Sequence, residues 1–196
     1  MSKNHFTIRL ISKAEAASIL NTFHYLKDIS KGFKSGYNYG LFMHDNLVGV
    51  CIFTGFPVPE LSKGMLGLGR SDQKGLFELS RLCIHPLIQT AEHNLASWFV
   101  SRAIRALRKE TFVRVILSYA DADFHRGVVY SACNFTYYGL TETKKDFWVQ
   151  HQNGSFVKHS RGSVKGLNGE WRPRSRKHRY VMVFDKTLQV LWNKSC

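Results

Sequence analysis

An α+β fold, a mixed central sheet flanked by helices, is what this sequence predicts, and three observations carry the prediction. The apolar run from Phe112 to Leu117 passes through Ser118-Tyr119-Ala120-Asp121-Ala122-Asp123 into a short amphipathic stretch, so a buried strand ends in an acidic turn and gives way to a helix. Ala96, Phe99, Val100, Ala103, Ile104 and Leu107 recur at i, i+3, i+4, i+7, i+8 and i+11, the sustained stripe of a helix packed on a sheet. Strand-like runs lie on both sides of that helix, in the order β-α-β-β-loop-β-α-β-α-β-β. A strand that ends in polar groups before a helix is also where open sheets bind ligands, which marks Ser118 to Gly139 as an active-site edge.

The elements follow in order. Phe6 to Ile11 alternates as a first strand, and Ala14, Ala17, Ile19 and Leu20 then recur at near-helical spacing, with the helix ending near His24. Lys27 to Tyr39, rich in Gly, Ser, Lys and Tyr, reads as a loop. Tyr39 to Met43 and Leu47 to Phe53 pair as a hairpin across His44-Asp45-Asn46, and Pro57 and Pro59 end the second strand. Residues 60–75, with four Gly and with Lys63, Arg70 and Lys74, suit a mobile loop. Leu76 to His85 is a strand closed by Pro86. After the striped helix come a strand from Phe112 to Ala120, a helix from Val128 to Phe135 that carries Tyr130 and Asn134, a strand near Phe147 to Gln150, and a last strand from Arg179 to Phe184.

The chain of 196 residues suits one domain, residues 1–196, with a basic segment at 158–180. Its 28 Lys and Arg against 14 Asp and Glu give a formal net charge of +14, which points to a polyanionic partner, nucleic acid ahead of an anionic membrane. From Lys158 to Tyr180 eight Lys or Arg stand against one Glu, so this segment alone supplies +7, half of the total. Cys51, Cys83, Cys133 and Cys196 form no CxxC pair, and three of them fall in apolar elements where a free thiol acts as a small hydrophobe. A reducing compartment follows. The N-terminus has no signal-peptide core and no run approaches the ~20 apolar residues of a membrane span, so a soluble, cytoplasmic protein is expected.

Five motifs, in consistent order over most of the chain, carry a resemblance. They are His24-Tyr25-Leu26, ELSRLCIHP (Glu78 to Pro86), HNLASWFVSRAIRALRK (His93 to Lys109), SYAD with GVVYSACNFTYYG (Ser118 to Gly139), and KHRYVMVF (Lys177 to Phe184). Together they resemble the Mom family of bacteriophage DNA-modification proteins. The resemblance implies a fold like that of the N-acetyltransferase (GNAT) superfold, in which a V-shaped cleft takes an acyl-coenzyme A. It also implies a transferase that places a carbamoylmethyl (acetamido) group on the N6 amine of adenine in phage DNA, shielding that DNA from restriction in the infected host cell. Acetyl-coenzyme A or another acyl donor, and iron, are the cofactors it implies. One departure stands out: the Gln/Arg-x-x-Gly-x-Gly/Ala pyrophosphate signature is missing before the long helix, where Ile88-Gln89-Thr90-Ala91-Glu92-His93-Asn94 stands instead.

Candidate residues divide by role. Chemistry on an aromatic amine needs a proton acceptor, groups that hold the base, and an aligned electrophile. Asp121 is the first choice for base or orienter, its bland alternative a turn or cap residue, with Asp123 the better cap. Tyr130 donates to developing charge or stacks on adenine, or is a core tyrosine on an aromatic face with Phe135 and Tyr138. His24 and Tyr25 offer a base, a stacking surface or an iron ligand, and Glu78 is an alternative base whose orientation, between Leu79 and Leu82, alternation leaves undecided. Asn134 caps or braces its helix. Arg81, Asn94 and Ser97 are candidates for the donor, with an ion pair to Glu78 the alternative for Arg81 and helix–sheet packing that for Ser97. Lys158, Arg161, Lys165, Arg172, Arg174, Arg176, Lys177 and Arg179 are candidate phosphate contacts on duplex DNA, and Trp171 a groove or stacking contact. A non-catalytic nucleic-acid-binding protein and a protein or small-amine acetyltransferase are the competing readings.

Overall fold

The computed structural model describes residues 3–24, 32–159 and 162–194. β1 (Phe6–Leu10), α1 (Lys13–Phe23), β2 (Tyr37–Met43), β3 (Asn46–Gly55), α2 (Pro59–Leu66), β4 (Leu76–Ile84), α3 (Pro86–Ala91) and α4 (Leu95–Glu110) make up the first part of the chain. β5 (Val115–Asp121), α5 (Val128–Ala132), β6 (Thr136–Leu140), β7 (Lys144–Gln150), β8 (Phe156–Lys158), β9 (Gly169–Arg174) and β10 (Lys177–Val183) follow. One sheet has the order β1-β2-β3-β4-β5-β10-β6, antiparallel except for the β4–β5 pair, and a smaller sheet has the order β8-β7-β9. The mixed α+β fold is as expected.

Helix α1 opens on a capping box in which the Ser12 side chain and the Glu15 side chain satisfy each other's backbone N–H. It covers one face of the large sheet, burying Ala16, Ile19 and Leu20 against Val50, Ile52 and Cys83. α4 covers the other face, and Leu95, Phe99, Val100, Ala103 and Leu107 on its stripe are fully buried there, each larger side chain contributing about 1.5–3 kcal/mol by leaving water. α2 joins α1 on its face, where Met65 and Leu66 pack on Leu76, Val115 and Leu117.

Several expected elements need correction. Residues 60–75 are not all loop, because Pro59, read as a strand terminator, is the first residue of α2, and Gly67 closes that helix in the left-handed conformation with φ of 70°. Pro86 likewise opens α3 as it ends β4. The strand expected from Phe112 begins at Val115, and Phe112 is exposed. The helix expected to reach Phe135 stops at Ala132, Asn134 takes a left-handed φ of 65°, and β6 follows at once. The basic tail, expected as a segment before a strand at Arg179, contains β9 and starts β10 at Lys177. Residues 27–31 of the Lys27 to Tyr39 loop lie outside the described residues, residues 32–36 carry no helix or strand, and Tyr37 already belongs to β2.

A single extra residue sets the geometry of the site. β4 pairs with β3 as Phe53↔Leu79 and then Ile52↔Arg81, so Ser80 is bulged out of the ladder. Because of it Leu79 and Leu82, three residues apart, both join the cluster under α4. Glu78, adjacent to Leu79, therefore points to the α1/α2 face, and so does Arg81, adjacent to Leu82 and flanking the bulge.

Candidate active site

Strands β4 and β5 pair only from Leu76↔Val115 to Leu79↔Ser118, yet β4 runs on to Ile84 and β5 to Asp121. The two parallel strands part beyond that rung, and Ser118 Oγ, donating to the Leu79 carbonyl at 3.1 Å, closes the last one. Parting strands open a V-shaped gap in the sheet. A cleft of about 990 Å³ occupies it, lined on the α1/α2 side by His24, Glu78, Arg81, Tyr119, Asp121 and Lys177 and on the α4/α5 side by Leu79, Leu82, Ala96 and Val128 to Tyr130. The cleft is thus built from both faces of the sheet.

His24, Glu78, Arg81, Asp121 and Tyr130 all line this one cleft. Tyr25 and Arg161 lie outside the described residues. Burial, with Arg81 and His125 adding repulsion, drives the His24 pKa down to about 4, so its imidazole is neutral at physiological pH. Burial raises the Glu78 carboxyl above its ordinary value against the opposing charges of Arg81 and Lys34, which moves this carboxylate toward the range of a working base. Arg81 donates from Nη1 to the Ser80 carbonyl at 2.6 Å, while its buried Nε has no hydrogen-bond partner. Tyr119 beside Glu78 is raised to about 12 by burial and by the Glu78 charge, and stays a phenol.

Asp121 is buried and heavily engaged. It accepts from Lys177 Nζ, from Ser175 Oγ and, at 3.2 Å, from the Asp123 backbone N–H. Burial pushes its pKa up, but these hydrogen bonds and the Lys177 charge prevail and hold the carboxyl below the ordinary value. Lys177, assigned from sequence to phosphate binding, is therefore Asp121's partner in the cleft wall. The signal was present in the pairing: Lys177 faces Asp121 across the first rung of the β5–β10 ladder.

Tyr130 is a buried tyrosine on an aromatic face, with ring centroids 5.7 Å from Phe135 and 5.3 Å from Tyr180. Tyr138, expected beside it, is on the opposite face with Trp192. Asn134 is exposed beyond the end of α5. Asn94 and Ser97 stand outside the cleft lining, where Gln89 and Ala96 take their place. Asn94 sits at the N-cap of α4 with φ of 56° and makes no side-chain cap, and the Ser97 hydroxyl donates back to the Asn94 carbonyl at 3.1 Å.

The small sheet brings a cationic surface to the mouth of the cleft. Lys144 and Arg174 pair across β7 and β9 and line the mouth with Lys177 and Arg126, against Glu142 and Asp121. Arg172 shares the Arg174 face; it pairs with Glu170 at 2.6 Å and lies over the Phe156 ring at 4.3 Å. Lys158 bonds Asp146 at 2.5 Å, Arg176 donates to the Thr141 carbonyl, Arg179 lies over Trp192, and Lys165 is exposed. Trp171, 55% exposed, alternates to the opposite face of β9 from Arg172 and Arg174 and does not line the cleft.

An acyl-coenzyme A finds part of what it needs. The free β4 edge beyond Leu79 offers backbone groups to an extended amide chain, and Leu82, Ile84 and Ala96 give an apolar wall. Helix geometry leaves first-turn N–H groups of α4 for an anion, without a glycine cradle. No iron site is supported: among the described residues no three His, Cys, Asp or Glu side chains are grouped to hold a metal ion.

A family model described as the Mom protein family matches residues 5–195. Solved structures with the same fold include an acetyltransferase of Bacillus subtilis in complex with CoA, at 13% identity and a TM-score of 0.54, covering 92% of this chain and 98% of that one. A GNAT family acetyltransferase from Elizabethkingia anophelis with acetyl-CoA bound has 10% identity and a TM-score of 0.56, with 93% and 100% covered. The ribosomal-protein-S18-alanine N-acetyltransferase from Escherichia coli has 12% identity and a TM-score of 0.53, with 91% and 93% covered. No curated protein matches. The fold is that of the GNAT acetyltransferases.

Proposed function

The chain belongs to the Mom protein family, and on that premise we propose that it is a DNA-modifying transferase that places a carbamoylmethyl (acetamido) group on the N6 amine of adenine in phage DNA. The observation that carries the reading is the single cleft in the β4–β5 splay, where Glu78, His24 and Arg81 meet behind a mouth lined by Arg126, Lys144, Arg174 and Lys177. Duplex DNA is the natural counterpart of that cationic mouth. An adenine turned out of the helix enters from the α1/α2 side, because N6 must reach groups inside the cleft.

The N6 lone pair attacks a methylene carbon of the donor, the bond from that carbon to its leaving group breaks with the electron pair departing on the leaving group, and the N6 proton passes to Glu78 as the new N–C bond forms. The raised pKa of Glu78 suits this transfer, since a base works best with its pKa near the operating pH. Neutral His24 holds the adenine edge by a hydrogen bond without adding a positive charge. Arg81, with its buried Nε still to be satisfied, takes an anionic or carbonyl oxygen of the donor. Asp121 fixes Lys177 at the mouth and orients rather than abstracts. The β4 edge and the α4 N-terminal N–H groups near Asn94 and Ser97 would hold an acyl-coenzyme A; attack on its thioester carbonyl would release the thiolate and give an N6-acyl product, so the carbamoylmethyl group needs a donor whose methylene carbon bears the leaving group.

The test is mass spectrometry of nucleosides from DNA of cells expressing the protein. A mass-shifted deoxyadenosine that vanishes in Glu78→Gln is the expected outcome. Unmodified DNA together with tight DNA binding would replace this reading by a binding module, and acetylated protein with unmodified DNA would replace it by an ordinary acetyltransferase.

A further inference from the structure

The turn between β5 and α5 exposes two large apolar side chains beside the cleft, Phe124 at 60% and Val128 at 74%. Single exposed apolar residues are common on protein surfaces, but these two occupy a backbone that is held on every side. Phe124 N–H and His125 N–H both donate to the Asp121 carbonyl, at 3.0 and 2.9 Å, and Ala122 N–H donates to the Arg176 carbonyl at 2.9 Å. The Tyr180 hydroxyl donates to the Arg126 carbonyl. Gly127 takes a φ of 78° in a space that a Cβ would fill against Tyr180 and Ala120. The Asp121–Lys177 pair ties the same turn to β10. Phe124 and Val128 are therefore presented by a hydrogen-bonded support, with Arg126 between them in the chain and Val128 and Arg126 both lining the cleft.

Resting on the functional reading above, we propose that Phe124, backed by Val128, is the wedge that unstacks the duplex and holds open the space left by the departing adenine. Side chains that kink or open DNA in this way are apolar, protrude from a fixed backbone and have a cation beside them, and this turn supplies all three in Phe124, Val128 and Arg126. The other exposed aromatic of the basic region, Trp171, faces away from the cleft lining.

The test uses duplexes with 2-aminopurine, an adenine analogue that brightens on unstacking, flanked by randomised bases, so no donor or turnover is needed. The wild-type protein brightens the duplex. Phe124→Ala binds it equally by anisotropy but brightens it about 10-fold less, Phe124→Leu recovers much of the signal, and all three brighten equally when the 2-aminopurine sits opposite an abasic site and needs little force to leave. Equal brightening of the intact duplex by Phe124→Ala, or equal loss on both duplexes, overturns the wedge while leaving the functional reading in place. A wild-type protein that brightens neither duplex overturns the functional reading, and the wedge falls with it.

Discussion

Replacing Gly127 by Ala tests whether the turn that shapes the cleft is built as described. Gly127 has φ of 78°, where an L side chain brings its Cβ against the next carbonyl at a cost of about 1–2 kcal/mol. The added Cβ also falls 2.7 Å from Tyr180 Cε2, 2.8 Å from Ala120 Cβ and 3.0 Å from Tyr130 Cδ2. Ala120 is fixed in β5, and both tyrosine rings are buried, so relief requires movement of the core at about 1–3 kcal/mol. The sum is roughly 2–5 kcal/mol, or about 4–20 °C in Tm for a chain of this size. Gly154→Ala is the control, because Gly154 has the same sense of φ, 79°, with no atom within 4 Å of the new Cβ, and pays only the backbone part. Thermal and urea denaturation of both variants measure the difference. Stabilities within about 0.5 kcal/mol of each other would refute the close approach of Gly127 to Tyr180 and Ala120, which is larger than that by the packing cost alone.

Two further outcomes follow from the charges. His24 has a folded pKa near 4 against an ordinary 6.5, so between those values the unfolded chain binds more protons and stability rises with pH from about 4 to 6.5; His24→Gln flattens that segment of the stability–pH curve, and an unchanged slope in urea titrations contradicts the burial of a neutral imidazole. Replacing Arg172, Arg174 and Arg176 together by Ala weakens DNA binding and lowers the slope of log K against log salt by about one to three, at ~0.9 for each phosphate no longer neutralised; the lower end is expected if Arg172 and Arg176 stay engaged by Glu170 and the Thr141 carbonyl, and an unchanged slope removes the basic sheet from the interface.

How much was legible in the sequence depended on whether the deciding physics was local. The α4 stripe was readable because one helix face buries a continuous row, and the acidic turn at Asp121 because a buried strand had to end there. β9 was not, since Gly-Glu-Trp-Arg-Pro-Arg has no apolar alternation and is a strand only by pairing with β7. The orientation of Glu78 was hidden for a different reason: a one-residue bulge at Ser80 leaves no mark in composition, yet it puts Leu79 and Leu82 on one face and turns Glu78 and Arg81 to the other. Candidates tied to the missing glycine signature fared differently from those tied to the splay. Ser97 and Asn94 stand beside the cleft, whereas His24, Glu78, Arg81, Asp121 and Tyr130, distant in sequence, meet in it because β4 and β5 part beyond Leu79 and Ser118.

Glu78 and Asp121, two of the carboxylates that line the cleft, stand in opposite electrostatic conditions. A carboxylate that accepts three hydrogen bonds and pairs with an ammonium is stabilised in its charged form, and the same contacts that lower its pKa reduce its driving force to take a proton. Asp121 is in that condition, and removing its charge would leave Lys177 at the cleft mouth without its partner. Glu78 is in the opposite condition, raised by burial and only partly offset by Arg81 and Lys34. Two carboxyl groups whose surroundings push their pKa values apart are the pattern by which acid–base roles are told apart in a site. In the proposed reaction proton transfer would therefore fall to Glu78, while Asp121 serves the turn: it holds Lys177, it anchors the segment that presents Phe124, and through Ser175 it ties down the start of β10.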